Sequence, residues 1–244
     1  ISGYGPQDER LAYDALIQAE SGFMHLNRSP DTPPEKMPVA LIDVLAAHHL
    51  KELILLALIQ KMKTGRGAEV DVSLFEVAVS SLTNQASAWL SAGAEPQPMG
   101  SEHPHIFPYG GRFRTADQRE IVLAVGSDAQ FVRLCHALGD GALAQNPRFA
   151  RNTDRSVYRE ELRPELQRLF SGVADAELFL ASLHAAKVPA ALIRRVSEAV
   201  QQYETQFMMH SGAADGFRGL PQLCGRINGK PAARPLSVPP PLGA

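Results

Sequence analysis

The sequence predicts a helix-rich protein of the α/β or α+β class, because short strand patterns are mixed with many helical ones. Its composition is that of an ordinary globular protein, with 45% hydrophobic and 20% charged residues in a chain of 244. The longest solid apolar run covers residues 53–59, far short of the roughly 20 residues of a membrane-spanning helix. These observations argue against disordered, collagen-like and membrane-spanning classes.

The net charge and the cysteine content limit the classes of binding partner and the cellular compartment that we expect for this protein. Lysine plus arginine number 24 and aspartate plus glutamate 26, a net charge of −2 that argues against nucleic acid or a polybasic membrane surface. Cys135 and Cys224 can neither staple a chain of this size nor form a metal-binding spacing. The chain opens without Met and without the basic start and apolar stretch of a signal peptide. We therefore expect a reducing, cytoplasmic compartment.

The first part of the chain predicts a turn, a helix and a loop. Residues 1–6 end in a Gly/Pro turn and could close a strand. Residues 8–24 have apolar positions at helical spacing, which predicts the first helix. Residues 27–38 contain several prolines, so they are expected to form a surface loop.

The strongest helical pattern covers residues 43–63. Its apolar positions lie on nearly every side, so we expect this helix to be buried on most sides. Asp43 suits the N-cap position, because a carboxylate accepts hydrogen bonds from the first free N–H groups of a helix. Gly65 or Gly67 suits the left-handed residue that ends the helix.

A strand, a helix and a boundary are expected next. Residues 69–72 read as a short strand, and Ser73 with Glu76 forms a capping-box pattern that opens a helix to about residue 92. Residues 93–111 are rich in Gly, Pro and His, and we place a domain boundary in this loop.

The rest of the chain predicts a hairpin, three helices and an extended tail. Ser127 and Gln130 form a second capping-box pattern at the start of the first of these helices. Pro164 lies inside the next predicted helix and should kink or restart it. The predicted segments are strands at 112–115 and 121–125, helices at 127–139, 154–170 and 175–186, and a proline-rich wrapping segment at 221–244.

Two carboxylates are candidates for chemistry. Asp43 is either a plain helix N-cap or a nucleophile, and the two are compatible because a helix N-terminus stabilises negative charge. Carboxylates do act as covalent nucleophiles on activated acyl groups. Asp14, beside Tyr13, is either a surface acid in an ion pair or a second carboxylate that faces Asp43 across a site.

Histidines and glycines offer weaker signals. His48, His49 and Glu52, and the run 102–105, invite a metal hypothesis, but no His-Glu-x-x-His motif or acidic cluster completes a ligand set. We therefore expect no metal. Gly-Arg-Gly at 65–67, Gly100 and the Gly-Gly pair at 110–111 are either ordinary turn glycines or backbone that approaches a phosphate or oxyanion. The residue patterns alone predict an α/β protein with a carboxylate site and nothing more specific.

A series of motifs in order and spacing resembles one family, the class III CoA-transferases (CaiB/BaiF). The resemblance covers nearly the whole chain, and it predicts the fold of that family: a Rossmann-like large domain, here incomplete, with a smaller α+β domain. The motifs that carry it are ISGYGP (1–6), AYD (12–14), QAESGFM (18–24), IDVLAA (42–47), LALIQK (56–61), KTGRGAEVDVSLFE (63–76), PYGGRFRT (108–115), QFVRLC (130–135), NPRFARN (146–152), VPAALI (188–193) and PPPLG (239–243).

The resemblance implies a CoA-transferase that moves CoA from an acyl-CoA thioester to a carboxylic acid. The family's nucleophile, an Asp that opens the long buried helix, corresponds to Asp43, which would form an aspartyl anhydride and then an aspartyl-CoA thioester. The family's second acid corresponds to Asp14, with Tyr13 beside it. The implied partners are an acyl-CoA and a small carboxylic acid. No permanently bound cofactor is implied, since coenzyme A thioester is the substrate.

The family's glycine-rich active-site loop corresponds to residues 100–111, which here begin with Gly-Ser-Glu-His-Pro-His rather than a run of glycines. The racemase branch of the family has a His where Tyr13 stands, which argues against a racemase or epimerase. Carnitine-type, formate/oxalate-type and dicarboxylate-type transferases stay open, and residues 100–109 look most like dicarboxylate members. The candidate substrate- or CoA-binding residues are Gly100, Ser101, Glu102, His103, Gly110, Gly111 and Arg66.

Length is the main departure from the family. Relatives carry a long N-terminal half before residue 1, so this chain is expected to have weak or no activity alone. The predicted organisation is a part of the large domain at 1–98, a small domain at 99–195 and a return segment at 196–244. An interlocked homodimer is expected from the resemblance. The alternative is a non-catalytic fragment or a partner that pairs with a complete subunit.

Overall fold

A computed structural model describes residues 1–207 and 224–232, and helices dominate it. None of the helices in these two ranges is long and apolar enough to cross a membrane. The helices are α1 (Asp14–Glu20), α2 (Phe23–Leu26), α3 (Leu41–Thr64), α4 (Leu74–Ser81), α5 (Asn84–Ala92), α6 (Asp128–Ala137), α7 (Asn152–Val157), α8 (Arg159–Phe170), α9 (Ala176–Ala185) and α10 (Val196–Phe207), with a short 3₁₀ turn at Leu143–Gln145.

The strands form two small sheets. The first has the strand order β1 (Tyr109–Arg114), β2 (Glu120–Ala124) and β3 (Ala190–Leu192). Strands β1 and β2 pair as an antiparallel hairpin in which Phe113 lies opposite Ile121. The second is a two-stranded antiparallel ribbon near the end of the described chain. The strands of this ribbon are β4 (Arg226–Ile227) and β5 (Lys230–Pro231).

The N-terminal helices share one apolar core. Helices α1 and α4 both pack against α3, and their buried side chains meet near its first turns. On α3 itself only Ile42 and Ala46 are buried. The N-terminal segment joins this core through backbone hydrogen bonds between Ser2 and the residues on either side of Ser73. This packing fixes the start of α3, where the candidate nucleophile lies.

A second group of buried side chains surrounds the hairpin. Phe113 of β1 stacks on Phe170 at the end of α8 with 5.0 Å between ring centroids, and Phe179 of α9 meets Phe170 edge-on. Asp117 in the hairpin turn accepts a hydrogen bond from the N–H of Ala176 at 3.0 Å, so the turn also caps α9. The hairpin and these two helices therefore hold one another in place.

Several predicted elements are confirmed. The Ser127–Gln130 capping box is present, and the hydroxyl of Ser73 caps α4 by accepting from the N–H of Glu76. The hairpin and α9 lie where the sequence placed them. Gly65 ends α3 in the left-handed conformation, with φ of 73°.

Other boundaries differ from the prediction. The helix expected over 8–24 begins only at Asp14 and breaks at Gly22, whose φ is +94°. The helix expected over 73–92 splits into α4 and α5, because Thr83 has φ of +48°. Residues 69–72 form no strand but only an isolated parallel bridge beside them, from Ser2 to Ser73.

The helix expected over 154–170 is also two helices, α7 and α8. They meet at Tyr158, whose φ of −95° and ψ of 25° end the first helix. Pro164 does not mark the break but lies inside α8. Helix α10 and strand β3 were not predicted as elements, and the expected wrapping segment at 221–244 lies mostly outside the described residues.

The expectation that α3 would be buried on most sides is wrong for this chain. From Lys51 to the end of the helix no side chain is buried, and the apolar ones are largely open to solvent. The physical reason is that the core side chains of α1 and α4 meet α3 only near its start. The exposed large apolar residues of α3 include Ile54, Leu55, Leu58, Ile59 and Met62.

The contacts divide the chain into two units, Ile1–Ala191 and a second that begins at Leu192. The first contains both groups of buried side chains and every candidate site residue. The described part of the second contains α10 and the ribbon of β4 and β5. The three-part organisation expected from the sequence stays a prediction.

Candidate functional site

Asp43 lies in the first turn of α3, but it is not the N-cap. The helix begins at Leu41, with Ala40 in the cap position and no side-chain cap from that residue. The prediction of an Asp43 cap is therefore wrong by three positions. The side chain of Asp43 is exposed and makes no hydrogen bond or ion pair with any described residue. Its carboxylate thus lies free beside the partial positive charge of a helix N-terminus.

Asp14 supplies the cap that Asp43 does not. One of its carboxylate oxygens, Oδ1, accepts a hydrogen bond from the backbone N–H of Ile42 at 2.8 Å. The other, Oδ2, accepts from the side-chain amide of Gln18 at 2.6 Å. Asp14 is only 8% exposed, so it is neither a solvent-facing acid nor a member of a surface ion pair. Asp14 lies on α1 and contacts the first turn of α3, which bears Asp43, through the backbone N–H of Ile42.

Tyr13 has the opposite environment to its neighbour. It occupies the N-cap position of α1 with an extended backbone, and its side chain is 66% exposed. Its carbonyl accepts hydrogen bonds from the N–H groups of Leu16 and Ile17, which start the helix. The phenol is thus available to a bound molecule, whereas the carboxylate of Asp14 is turned inward.

The start of the glycine-bearing loop is tightly packed. The N–H of Gly100 donates to the carbonyl of Arg28 at 2.8 Å, and the hydroxyl of Ser101 donates to the carbonyl of Gly110 at 2.7 Å. Gly110 has φ of +80°, and a Cβ there would lie 1.7 Å from the carbonyl oxygen of Ser101. Glycine is required at 110 for both reasons.

Glu102 binds the loop to α8. Its carboxylate pairs with the guanidinium of Arg163 through two hydrogen bonds and lies 3.6 Å from that of Arg159. Glu102 is 12% exposed in its side chain, so both oxygens are largely enclosed by these cations. The structure therefore gives Glu102 a protein partner at each oxygen, and its predicted role in substrate binding stays a prediction.

The remaining candidates are dispersed. His103 has its Nδ1 occupied by the N–H of His105 at 3.1 Å, and its ring meets that of Tyr109 edge-on. Gly111 is buried against Phe113. Arg66 is exposed just beyond the end of α3, at the far end of that helix from Asp43.

The structure connects Asp43 to the loop only indirectly. Within the described residues no hydrogen bond joins Asp43 to residues 100–111. The segment 27–40 lies between them, since Arg28 binds Gly100 and Met37 binds Gln18. In the same residues there is no group of three or more His, Cys, Asp or Glu side chains that could hold a metal ion.

Sequence reasoning missed Gln18 and the partners of Glu102. Gln18 has no exposed surface, and Asp14 and Gln18 are four residues apart on one helix, a spacing that brings two side chains together. That spacing was the available signal. Arg159 and Arg163 share the same i, i+4 spacing on α8, but nothing local pointed to Glu102, which is 61 residues before Arg163.

Comparison of the whole chain with known protein families gives its family. The model of CoA-transferase family III matches residues 1–244, so this chain belongs to that family. A crystal structure of a CaiB/BaiF family protein from Brucella suis is 32% identical and superposes with a TM-score of 0.81, covering 97% of this chain and 63% of that one.

Two curated relatives carry named activities. A succinate–glutarate CoA-transferase of Agrobacterium fabrum is 39% identical over 166 residues, which are 67% of this chain and 41% of the relative. An acetyl-CoA:oxalate CoA-transferase of Acetobacter aceti is 32% identical over 202 residues, 82% of this chain and 51% of the relative. The chain thus spans about half or less of the length of these relatives.

Proposed function

We propose that this chain bears the nucleophile of a CoA-transferase, and that the nucleophile is Asp43. Family membership supports the reaction class. The observation that carries the residue assignment is the free, exposed carboxylate of Asp43 on the first turn of α3, where Asp14 already fills the capping role. A carboxylate with no protein partner is available to attack an electrophile.

The proposed reaction exchanges acyl groups without an energy source. The Asp43 carboxylate attacks the thioester carbonyl of the donor and expels CoA thiolate, which leaves a mixed anhydride. The thiolate then attacks the carbonyl of Asp43, releases the donor acid and leaves an aspartyl-CoA thioester. The acceptor carboxylate repeats the two steps in reverse and regenerates Asp43. Anhydride and thioester have similar acyl-transfer potential, so each step is near balance.

The position of Asp43 on α3 suits this chemistry. The N-terminal N–H groups of a helix favour negative charge within the first turn. Negative charge develops next to Asp43 when its attack converts the thioester carbonyl into a tetrahedral oxyanion. The exposed phenol of Tyr13, on the residue before Asp14, is our candidate for a further contact to the bound thioester.

We propose a dicarboxylic acid as the acceptor. The support is the similarity to transferases named for succinate with glutarate and for oxalate, all of which are dicarboxylates. Carnitine and formate are the alternatives that the sequence left open. An epimerase is less well supported, because Tyr13 stands where the racemase branch carries a His.

Trapping with hydroxylamine tests the nucleophile. Incubation of the chain with succinyl-CoA or oxalyl-CoA and hydroxylamine should place a hydroxamate on the peptide that contains Asp43, detected by mass spectrometry. Asp43→Asn should abolish the mark, whereas Asp31→Asn, an exposed acid in the 27–38 loop, should not. An unmarked Asp43 with every thioester tested would contradict the proposal for this chain and favour a non-catalytic fragment or partner subunit.

We also propose that the protein works as a homodimer in the cytoplasm. The apolar side chains that α3 exposes support an association, and the interlocked arrangement comes from the family resemblance. Both cysteines are free thiols, with Cys135 buried and Cys224 exposed, as a reducing compartment would keep them. The alternative partner is a complete subunit of the same family.

A further inference from the structure

Gln18 has a fully buried side-chain amide, which lies at the centre of a short series of hydrogen bonds. Its Oε1 accepts the backbone N–H of Met37 at 2.7 Å, and its Nε2 donates to Oδ2 of Asp14 at 2.6 Å. Oδ1 of Asp14 in turn accepts the N–H of Ile42 at 2.8 Å. This series of hydrogen bonds therefore links the 27–38 loop, through two side chains of α1, to the first turn of α3.

The donor and the acceptor of each of these three hydrogen bonds follow from the groups that the neighbouring residues present. Met37 presents a backbone donor, so the amide oxygen of Gln18 must face it. The amide nitrogen then faces Asp14, where a carboxylate can only accept. The two oxygens of Asp14 meet the two donors, Gln18 and Ile42, with the short distances of charge-assisted hydrogen bonds.

This arrangement has a consequence for Asp14. A helix begins with N–H groups that have no partner within the helix, and Ala40 offers no side chain to satisfy them. The cap of α3 therefore comes from another helix, 28 residues earlier in the chain. With both oxygens engaged and the side chain enclosed, Asp14 acts on α3 rather than on a bound molecule.

We propose that Gln18 and Asp14 are positioning residues: together they form a buried cap that fixes the first turn of α3 and with it the carboxylate of Asp43. This inference rests on the proposed role of Asp43 for its catalytic consequence. Its structural part, the capping of α3, can be tested separately.

Exchanging the carboxylate at position 14 and the amide at position 18 distinguishes a positioning role of Asp14 from a direct role in the reaction. In Asp14→Asn, Oδ1 can still cap Ile42, but the new NH₂ group faces the NH₂ group of Gln18. A flip of the Gln18 amide would restore a hydrogen bond to position 14. It would also place the NH₂ group of Gln18 against the N–H of Met37, so that two donors face each other. In Gln18→Glu two carboxylates face each other. Each single variant therefore leaves one pair of groups mismatched.

The double variant Asp14→Asn with Gln18→Glu restores the three short hydrogen bonds and loses only the long one, 3.5 Å, from Nε2 of Gln18 to the carbonyl of Met37. A carboxylate at position 18 accepts from Met37 and from the new amide at position 14, and the oxygen of that amide still accepts from Ile42. One negative charge is kept, but it has moved from position 14 to position 18. Gln7→Glu, an exposed position with the same change of charge as Gln18→Glu, is the matched control.

Two readouts follow for each variant: hydrogen exchange of the peptide that covers residues 39–46, and the initial rate of hydroxamate formation at Asp43. We expect each single variant to speed exchange and to lower the rate roughly tenfold or more, as the loss of a buried hydrogen bond to a charged group implies. The double variant should recover both to within about threefold of the unmodified chain. The control should change neither.

The outcomes are distinguishable. If the double variant recovers slow exchange but stays as slow in chemistry as Asp14→Asn, the carboxylate at 14 takes part in the reaction and the proposal is overturned. Unchanged exchange in both single variants would overturn the capping itself. If the unmodified chain forms no hydroxamate, the proposed function fails, and the exchange pattern still decides whether Gln18 and Asp14 fix the turn.

Discussion

At the scale of single residues, Arg155 is a fully buried charge whose hydrogen bonds tie three segments together. Its guanidinium donates to the carbonyls of Phe107 at 3.0 Å and Phe149 at 2.8 Å, and to Asp128 at 2.8 Å. Burial lowers the pKa of Arg155, and the carboxylate of Asp128 acts in the opposite direction. Each donor group that faces a protein acceptor offsets part of the cost of removing the cation from water.

Arg155→Met should therefore destabilise the fold by about 2–4 kcal/mol, because it keeps the volume but leaves buried carbonyls without a donor. Asp128 is half exposed, so water can solvate its freed carboxylate and limit the loss. Unfolding in urea measures the effect. Arg151→Met, at an exposed position four residues earlier, should change stability by less than about 0.5 kcal/mol. Equal stability of the two variants would contradict this account.

At the scale of elements, the loop that begins at Gly100 is bound to α8 by charged groups. The hydrogen bonds that Arg163 donates to the carboxylate of Glu102 raise the pKa of Arg163. Arg159 adds a hydrogen bond to the carbonyl of Pro104 at 2.7 Å. Arg163 and Arg159, on one face of α8, thus hold the side chain of Glu102 and the carbonyls of the next two residues, His103 and Pro104.

A double-mutant cycle measures this anchor. Glu102→Gln and Arg163→Gln, singly and together, should show a coupling of about 1 kcal/mol or more, since the carboxylate is nearly enclosed while the arginine is 38% exposed. Glu165 and Arg168, an exposed pair on the same helix, should couple by no more than about 0.5 kcal/mol. The account is wrong if the two cycles give equal values.

The same scale shows which elements a sequence can predict. The hydroxyl cap of Ser73 and the capping box of Ser127 lie next to the helices they start, so the local pattern was enough for both. The start of α3 was misplaced because its cap, Asp14, is far away in the chain. The splits at Gly22 and Thr83 depend on backbone angles that no residue pattern nearby required.

The candidate site divides in the same way. Asp43 was predicted as the nucleophile from its position before an apolar run and from the family resemblance, and both signals are local in sequence. The role of Asp14 as a cap depended on a contact with Ile42, and that of Gln18 on a contact with Met37. These contacts join residues that lie 28 and 19 positions apart in the chain, so no local pattern indicates them.

At the scale of the whole molecule, α3 exposes a set of large apolar side chains to solvent, which we call its apolar face. Leu55 is 53% exposed and Ile59 50%, and both project from the same side of the helix because they are four residues apart. A contiguous apolar patch of this kind is typical of an interface. The expected homodimer would cover it, although its oligomeric state stays a prediction.

Association of the chain should therefore depend on this face. We expect light scattering after size exclusion to give a dimer or larger species at micromolar concentration. Leu55→Glu with Ile59→Glu should lower the mass towards that of a monomer, because two charges would have to be buried without partners. Leu178→Glu, a 72% exposed apolar position on α9, should leave the mass unchanged. A chain that is monomeric at every concentration, or that responds equally to both changes, would show that α3 is not the interface.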